Sequence, residues 1–203
     1  MKPESIAFAL AGVVFGLIAG FIIGYQKGTI DTPASGVAQA RAAQPSAVAP
    51  AAAVLDEAKV TAYKSVADRE PSNAAPRVQL GNLYFDAERY DDAIRWYADA
   101  LKIDAKDVDV STDLGVSYYY VNQPDKALAQ FDQSLKLNPK HAKTILNVGI
   151  VKAFGKQDLE GAQQAWEQVI KLAPNTPEGQ AAQRALESLR SAHPPGASQR
   201  PGA

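Results

Sequence analysis

The sequence predicts an all-α fold in which one membrane-crossing helix precedes a stack of paired helices. Three observations carry this expectation: an uncharged apolar stretch near the N-terminus, an Ala/Pro-rich stretch after it, and a 34-residue internal repeat that fills most of the remainder. A chain of 203 residues suits one ordinary domain with appendages.

Residues 1–5 form a short N-terminal tail. From Ile6 to Tyr25 the chain reads IAFALAGVVFGLIAGFIIGY, twenty residues without a charge. At about 1.5 Å per residue such a helix spans roughly 30 Å, the hydrocarbon thickness of a bilayer. A cleaved secretory signal has a shorter apolar core followed closely by a small-residue site. The nearest such site here, Ala38-Gln39-Ala40, lies well beyond Tyr25, so residues 6–25 read as an uncleaved single-pass transmembrane helix. The flanking charges nearly balance, Lys2 against Glu4 and Lys27 against Asp31, and barely orient the span. The short N-terminal tail favours a cytoplasmic N-terminus with the C-terminal bulk exported.

Within the span Gly12, Gly16, Gly20 and Gly24 recur every fourth residue. Residues four apart share a helix face, so the four form a groove without Cβ atoms where another helix can approach closely. That groove reads as a face for self-association or for docking a partner helix. Glycine is also common in membrane helices generally, and the sequence leaves both accounts open. Residues 26–53 follow as a tether: from Thr32 to Ala53 they are almost wholly Ala, Pro, Ser, Gly, Gln and Val, with one charge at Arg41, and offer no apolar stripe to bury.

The repeat begins after residue 73. Leu80, Gly81, Tyr84, Ala93, Tyr97 and Ala100 align with Leu114, Gly115, Tyr118, Ala127, Phe131 and Ser134 at an offset of 34. A third copy contributes Val148, Gly149, Ala162, Trp166 and Pro174, with Lys152 in place of the tyrosine and one residue inserted in its GKQDLEG turn. Leu80 and Tyr84 fall on one helical face with Gly81 beside them, and Ala93, Tyr97 and Ala100 stripe a second helix. Small residues thus mark the closest approach of an antiparallel pair. Pro124 suits the first turn of its helix, while Pro139 and Pro174 follow the helices they end. Ala105 stands where the first copy should close with proline, which predicts a helix that runs on slightly.

In period and pattern these copies resemble the tetratricopeptide repeat (TPR) family. The resemblance implies a right-handed α-α superhelix of about three repeats, 74–107, 108–141 and 142–175. Residues 54–73, with Tyr63 and Pro71 in phase, read as a degenerate half-repeat or N-terminal cap. Residues 176–191 read as a C-terminal capping helix with Thr176 and Pro177 at its start and Ala181, Ala182, Ala185, Leu186 and Leu189 in one stripe. Residues 192–203 read as a disordered tail.

The chemistry-bearing residues are few. The net charge of −1 and the scatter of Lys and Arg among Asp and Glu argue against a nucleic-acid partner. The absence of cysteine excludes disulfides, thiolate metal sites and a cysteine nucleophile. His141 and His193 have no partner at metal-ligand spacing, and no phosphate loop, nucleophile elbow or HExxH is present. The expectation is a protein that is not an enzyme, with no catalytic or metal residues, no cofactor and no small-molecule substrate.

The family resemblance implies instead a concave face lined by the first helix of each repeat. Its positions fall here on Val78, Asn82 and Phe85, on Val116, Tyr119 and Tyr120, and on Lys143, Leu146, Ile150 and Phe154, with Ala75, Asp86, Asp109, Thr112 and Ala153 beside them. Some members grip a C-terminal carboxylate of chaperones with Lys, Asn and Arg side chains. Asn82 and Lys143 occupy two of those places, but Val78, Asp113 and Asn147 replace a lysine, an asparagine and an arginine. An apolar peptide or amphipathic helix of a partner suits the aromatic positions better. The resulting expectation is a membrane-anchored interaction adaptor on the periplasmic side of a bacterial inner membrane. In architecture it resembles the TPR subunits of cytochrome c haem-lyase machinery. The alternative is a structural homo-oligomer built through the glycine-rich helix and repeat stacking.

Overall fold

The computed structural model of the chain describes residues 54–192. They form eight α-helices and one π-helical turn, with no strand among the described residues. The helices are α1 (Glu57–Arg69), α2 (Ala75–Asp86), α3 (Tyr90–Ile103), α4 (Val108–Tyr120), α5 (Pro124–Leu137), α6 (Ala142–Ile150), α7 (Leu159–Leu172) and α8 (Pro177–Ala192). Each packs on the next along the chain, and α4 also touches α6 while α6 touches α8. The first helices of successive repeats are therefore neighbours in an all-helical superhelix.

The small-residue register explains the pairing. Leu80, Tyr84, Ala93, Tyr97 and Ala100 are all buried, as are Leu114, Ala127, Phe131, Ser134, Ala162 and Trp166. A Cβ added at Gly81, Gly115 or Gly149 would fall inside the ring of Tyr97, Phe131 or Trp166 respectively. Each glycine is the slot into which the aromatic of the second helix fits, and dense packing leaves that slot no room to widen. Ser134, where the first repeat has Ala100, buries its hydroxyl without loss because it donates to Ser111 Oγ at 2.8 Å, which also accepts from Gln130 at 2.7 Å.

Two expectations about turns are corrected. The first repeat does not run on past its missing proline. Helix α3 ends at Ile103, the position equivalent to the end of α5 at Leu137. The Asp104 carboxylate accepts from Lys106 N at 3.0 Å, as Asn138 accepts from Lys140 N at 3.1 Å. A side chain that satisfies the backbone beyond the helix stops it as a proline would. The inserted residue of the third repeat is not absorbed in a longer loop. It widens the end of the first helix into a π turn, Val151–Gly155, closed by Lys156 N on Val151 O at 3.0 Å. All three hairpins then turn on a residue of positive φ: Glu88 at 57°, Asn122 at 58° and Gln157 at 57°.

Asp56 starts α1 by accepting from Lys59 N at 3.0 Å, and Leu55 and Tyr63 pack against the first core cluster. Thr176 Oγ1 accepts from Gly179 N at 3.2 Å with Pro177 in the first turn of α8. Ala181, Ala182, Ala185 and Leu186 are buried against α7, Leu189 is half-buried, and Arg184, Glu187 and Arg190 are exposed. Helix α8 extends through Ala192, one residue further than its predicted end.

No described helix is long and apolar enough to cross a membrane. The predicted transmembrane span 6–25, its glycines Gly12, Gly16, Gly20 and Gly24, the tether 26–53 and residues 193–203 lie outside the described residues.

Candidate functional site

Four aromatic rings meet where the first helices of the first two repeats end. Phe85 closes α2, Tyr119 and Tyr120 close α4, and Tyr90 opens α3. Tyr90 and Tyr120 stack at 4.5 Å between centroids. Phe85 meets both edge-on, at 5.2 Å and 5.5 Å, and Tyr119 lies 6.0 Å from Tyr120. Edge and offset contacts of this kind add about 0.5–1.5 kcal/mol per pair beyond area burial. All four residues are half-buried, so the cluster is held rigidly while part of each ring faces water. Burial pushes the Tyr119 phenol up to about 12 and raises Tyr90 and Tyr120 as well, so all three stay neutral and present an apolar body with a hydroxyl tip.

An ionic floor lies toward the other end of the same helices. Lys143 Nζ on α6 pairs with Asp113 Oδ1 on α4 at 2.7 Å and approaches Asp109 Oδ1 at 4.0 Å. Burial pushes the Asp113 carboxyl above its usual range, against the pull of Lys143. Nearby, the Tyr97 hydroxyl donates to Asn82 Oδ1 at 2.7 Å. Burial raises the Tyr97 phenol, and the charges of Asp113 and Asp86 raise it further. An acidic ligand tail would have to displace Asp113 from Lys143. Breaking this half-buried pair would leave one charge without its partner. The clamp lysine is thus already occupied from within.

One line of side chains has the order of a hydrolytic triad. Asp109 Oδ1 lies 3.4 Å from His141 Nε2, His141 Nδ1 lies 2.7 Å from Thr144 Oγ1, and Thr144 Oγ1 lies 2.7 Å from Thr112 Oγ1. Thr112 and Thr144 are both 0% exposed, and Thr112 also donates to Val108 O at 2.7 Å. No substrate carbonyl can reach such a hydroxyl, and the line serves instead to lock α6 onto α4. Among the described residues no group of His, Asp and Glu is arranged to hold a metal ion.

The predicted groove residues divide into two sets. Val78, Asn82, Phe85, Tyr119, Tyr120, Lys143 and Phe154 are half-buried; of these Phe85, Tyr119 and Tyr120 meet in the aromatic cluster, and Asn82 and Lys143 belong to the polar contacts just described. Val116, Leu146 and Ile150 are buried, at 3–4% exposure, and are corrected from groove surface to packing. Val116 joins Ala127, Phe131 and Val151 in the core, while the Leu146 carbonyl accepts from Trp166 Nε1 at 3.3 Å. Thr112 and Ala153 are buried as well. Tyr90, absent from the prediction, belongs to the aromatic cluster. Its signal was available as an aromatic at the start of a second helix, directly across the hairpin from Phe85.

Comparison with known proteins agrees with this geometry. A model described as "TPR repeat" matches residues 81–122, and one described as "Tetratricopeptide repeat" matches residues 109–141. The BBSome complex member BBS4 of Bos taurus is 29% identical over 116 residues, 57% of this chain and 22% of that protein. The Hsp70-Hsp90 organizing protein of Triticum aestivum is 26% identical over 109 residues, 54% of this chain and 19% of that protein. The chain therefore spans less than a quarter of the length of either relative. Among solved structures, the first TPR domain of the human RPAP3 protein superposes with a TM-score of 0.54 at 27% identity, covering 59% of this chain and 91% of that one. The first TPR of Spaghetti (RPAP3), bound to the HSP90 peptide SRMEEVD, does so at 0.53 and 27%, covering 59% and 94%. MamA shares the fold at 0.55 and 19% identity, covering 65% and 85%. With the repeat period, the glycine–aromatic register and the helix pairing in place, residues 81–141 are tetratricopeptide repeats.

Proposed function

We propose that this protein is an interaction adaptor whose repeats receive an apolar peptide or helix of a partner protein along the concave face. The observation that carries the reading is the cluster of Phe85, Tyr90, Tyr119 and Tyr120, a rigid and partly open aromatic edge shared by two repeats. Aromatic anchors of this kind dominate binding energy where they are fixed in advance, because little side-chain freedom remains to be lost. The peptide held by the RPAP3 domain is a precedent for the fold, and the occupied Lys143 is the reason to expect a different ligand here. The sequence supports a setting for the adaptor: residues 6–25 anchor it in a bacterial inner membrane, residues 26–53 tether it, and the repeats act on the periplasmic side in envelope protein or cytochrome c assembly.

The test compares partners co-purified from detergent-solubilised membranes by the native chain and by Tyr119→Lys/Phe154→Lys, after circular dichroism shows equal helicity. The reading expects a defined protein to be lost with the variant, and an identical set of partners from both chains would sink it. The four-residue glycine spacing in the anchor favours a second reading, assembly of copies through the membrane helix. Gly16→Ile/Gly20→Ile would then abolish pairing in a bilayer reporter assay.

A further inference from the structure

We infer that the concave face selects a partner segment carrying a basic side chain roughly 16 Å from an apolar anchor. The inference rests on the adaptor reading above and names the chemistry of its ligand. Among the described groove residues, Asp109 and Asp113 face Lys143, two carboxylates to one ammonium. Asp113 is 17% exposed and already neutralises Lys143 at 2.7 Å. Asp109 is 71% exposed, faces His141 at 3.4 Å and Lys143 at 4.0 Å, and remains open to water on its outer side. An arriving carboxylate would find Lys143 engaged by Asp113 and the Asp109 carboxylate beside it. An arriving ammonium or guanidinium finds an excess of negative charge. Opposite charge across a groove steers encounter and sets register, and like charge excludes the wrong partner.

The spacing follows from helix α4. Asp109, the acid open to water, and Tyr120 lie eleven residues apart on it, three turns, so the open carboxylate and the aromatic edge are separated by roughly 16 Å at about 1.5 Å per residue. A helical ligand bridges that distance with its basic and apolar residues about eleven positions apart, and an extended one with about five. The exposed ring edges of Phe85, Tyr119 and Tyr120 receive the apolar residue.

The test is selection of a random dodecapeptide phage library on the full chain, with Tyr119→Lys/Phe154→Lys selected in parallel. The inference expects enriched peptides that carry Lys or Arg at one of those spacings from an aromatic or aliphatic residue and that are not recovered on the variant. Asp109→Asn, a change at an exposed side chain, should weaken the best such peptide about threefold at low salt and less at high salt. Enrichment of acidic or uncharged peptides that the variant also loses would overturn the charge preference and leave the groove reading standing. No enrichment, or enrichment indifferent to the variant, would overturn both.

Discussion

In the second repeat the first helix ends at Tyr120 and the chain turns at Asn122, whereas in the third the helix passes through the π turn Val151–Gly155 and turns one residue late, at Gln157. The tyrosine of the pattern also differs. Tyr118 has Lys126 lying 5.7 Å from its ring, while Lys152 takes the equivalent place in the third repeat and pairs with Asp158 at 3.4 Å. Below the turn the two repeats are alike: Phe131 fills the slot over Gly115, and Trp166 fills the slot over Gly149. The comparison separates what the hairpin requires, a bare backbone facing a large ring, from what it tolerates, the length and chemistry of its closing turn.

The largest effect should come from breaking the shared element. Gly115→Val and Gly149→Val each place a branched side chain inside a buried ring, and overpacking of that severity costs about 3 kcal/mol. Urea unfolding of the two variants should show similar losses. Deleting Lys156 restores the 34-residue interval between turning residues and sacrifices its surface pair with Asp125, whose carboxylate is 80% exposed, together with the bond to Val151 O that closes the π turn. That deletion should cost under about 1 kcal/mol. A deletion as damaging as Gly149→Val would show that the π turn is part of the required plan.

Much of this was legible before any coordinates, and the reason is steric. A glycine sixteen or seventeen residues before an aromatic, repeated at 34, has few explanations besides a helix pair in close approach, so Gly81, Gly115 and Gly149 located all three hairpins. The groove was less legible because one residue position can face either a ligand or the next helix, depending on how tightly the first helices pack. Val116, Leu146 and Ile150 fell on the packed side for that reason. The hydroxyl pair Thr112–Thr144 left no periodic trace, since residues 32 apart meet only through stacking of α4 on α6. The stop at Ile103 was missed because Asp104, one residue before the position where proline was sought, satisfies the backbone beyond the helix.

A smaller effect sharpens the turn comparison. Glu88, Asn122 and Gln157 share the left-handed conformation, which asparagine tolerates and longer side chains resist. Glu88→Gly and Gln157→Gly should each stabilise by about 0.5–1 kcal/mol, with Asn122→Gly nearer neutral. Equal gains at all three sites would mean that the turns are strained by something other than the side chain. Thermal unfolding of the three single variants decides it.

The smallest effect concerns two carboxylates that mark the same contrast with opposite sign. At the third hairpin Asp158 caps α7, and the Gly161 N–H at 2.8 Å is the main cause that holds its carboxyl below the usual value, with burial opposing it and Lys152 assisting. Its contribution is complete above the unfolded value and is lost as pH falls through the folded one. In the second repeat burial raises Asp113 above 3.8. Between the unfolded and folded values the native state then holds a proton that the unfolded chain releases, so stability falls as pH rises through that window. Urea midpoints followed between about pH 3 and about pH 7 should therefore diverge for Asp158→Asn and Asp113→Asn. The deficit of Asp158→Asn shrinks on acidification, because the wild type loses its cap there. The deficit of Asp113→Asn grows on acidification, because the wild type alone gains from protonation. Parallel curves would mean that Asp113 is solvated like Asp158 and that the ionic floor between α4 and α6 is open to water.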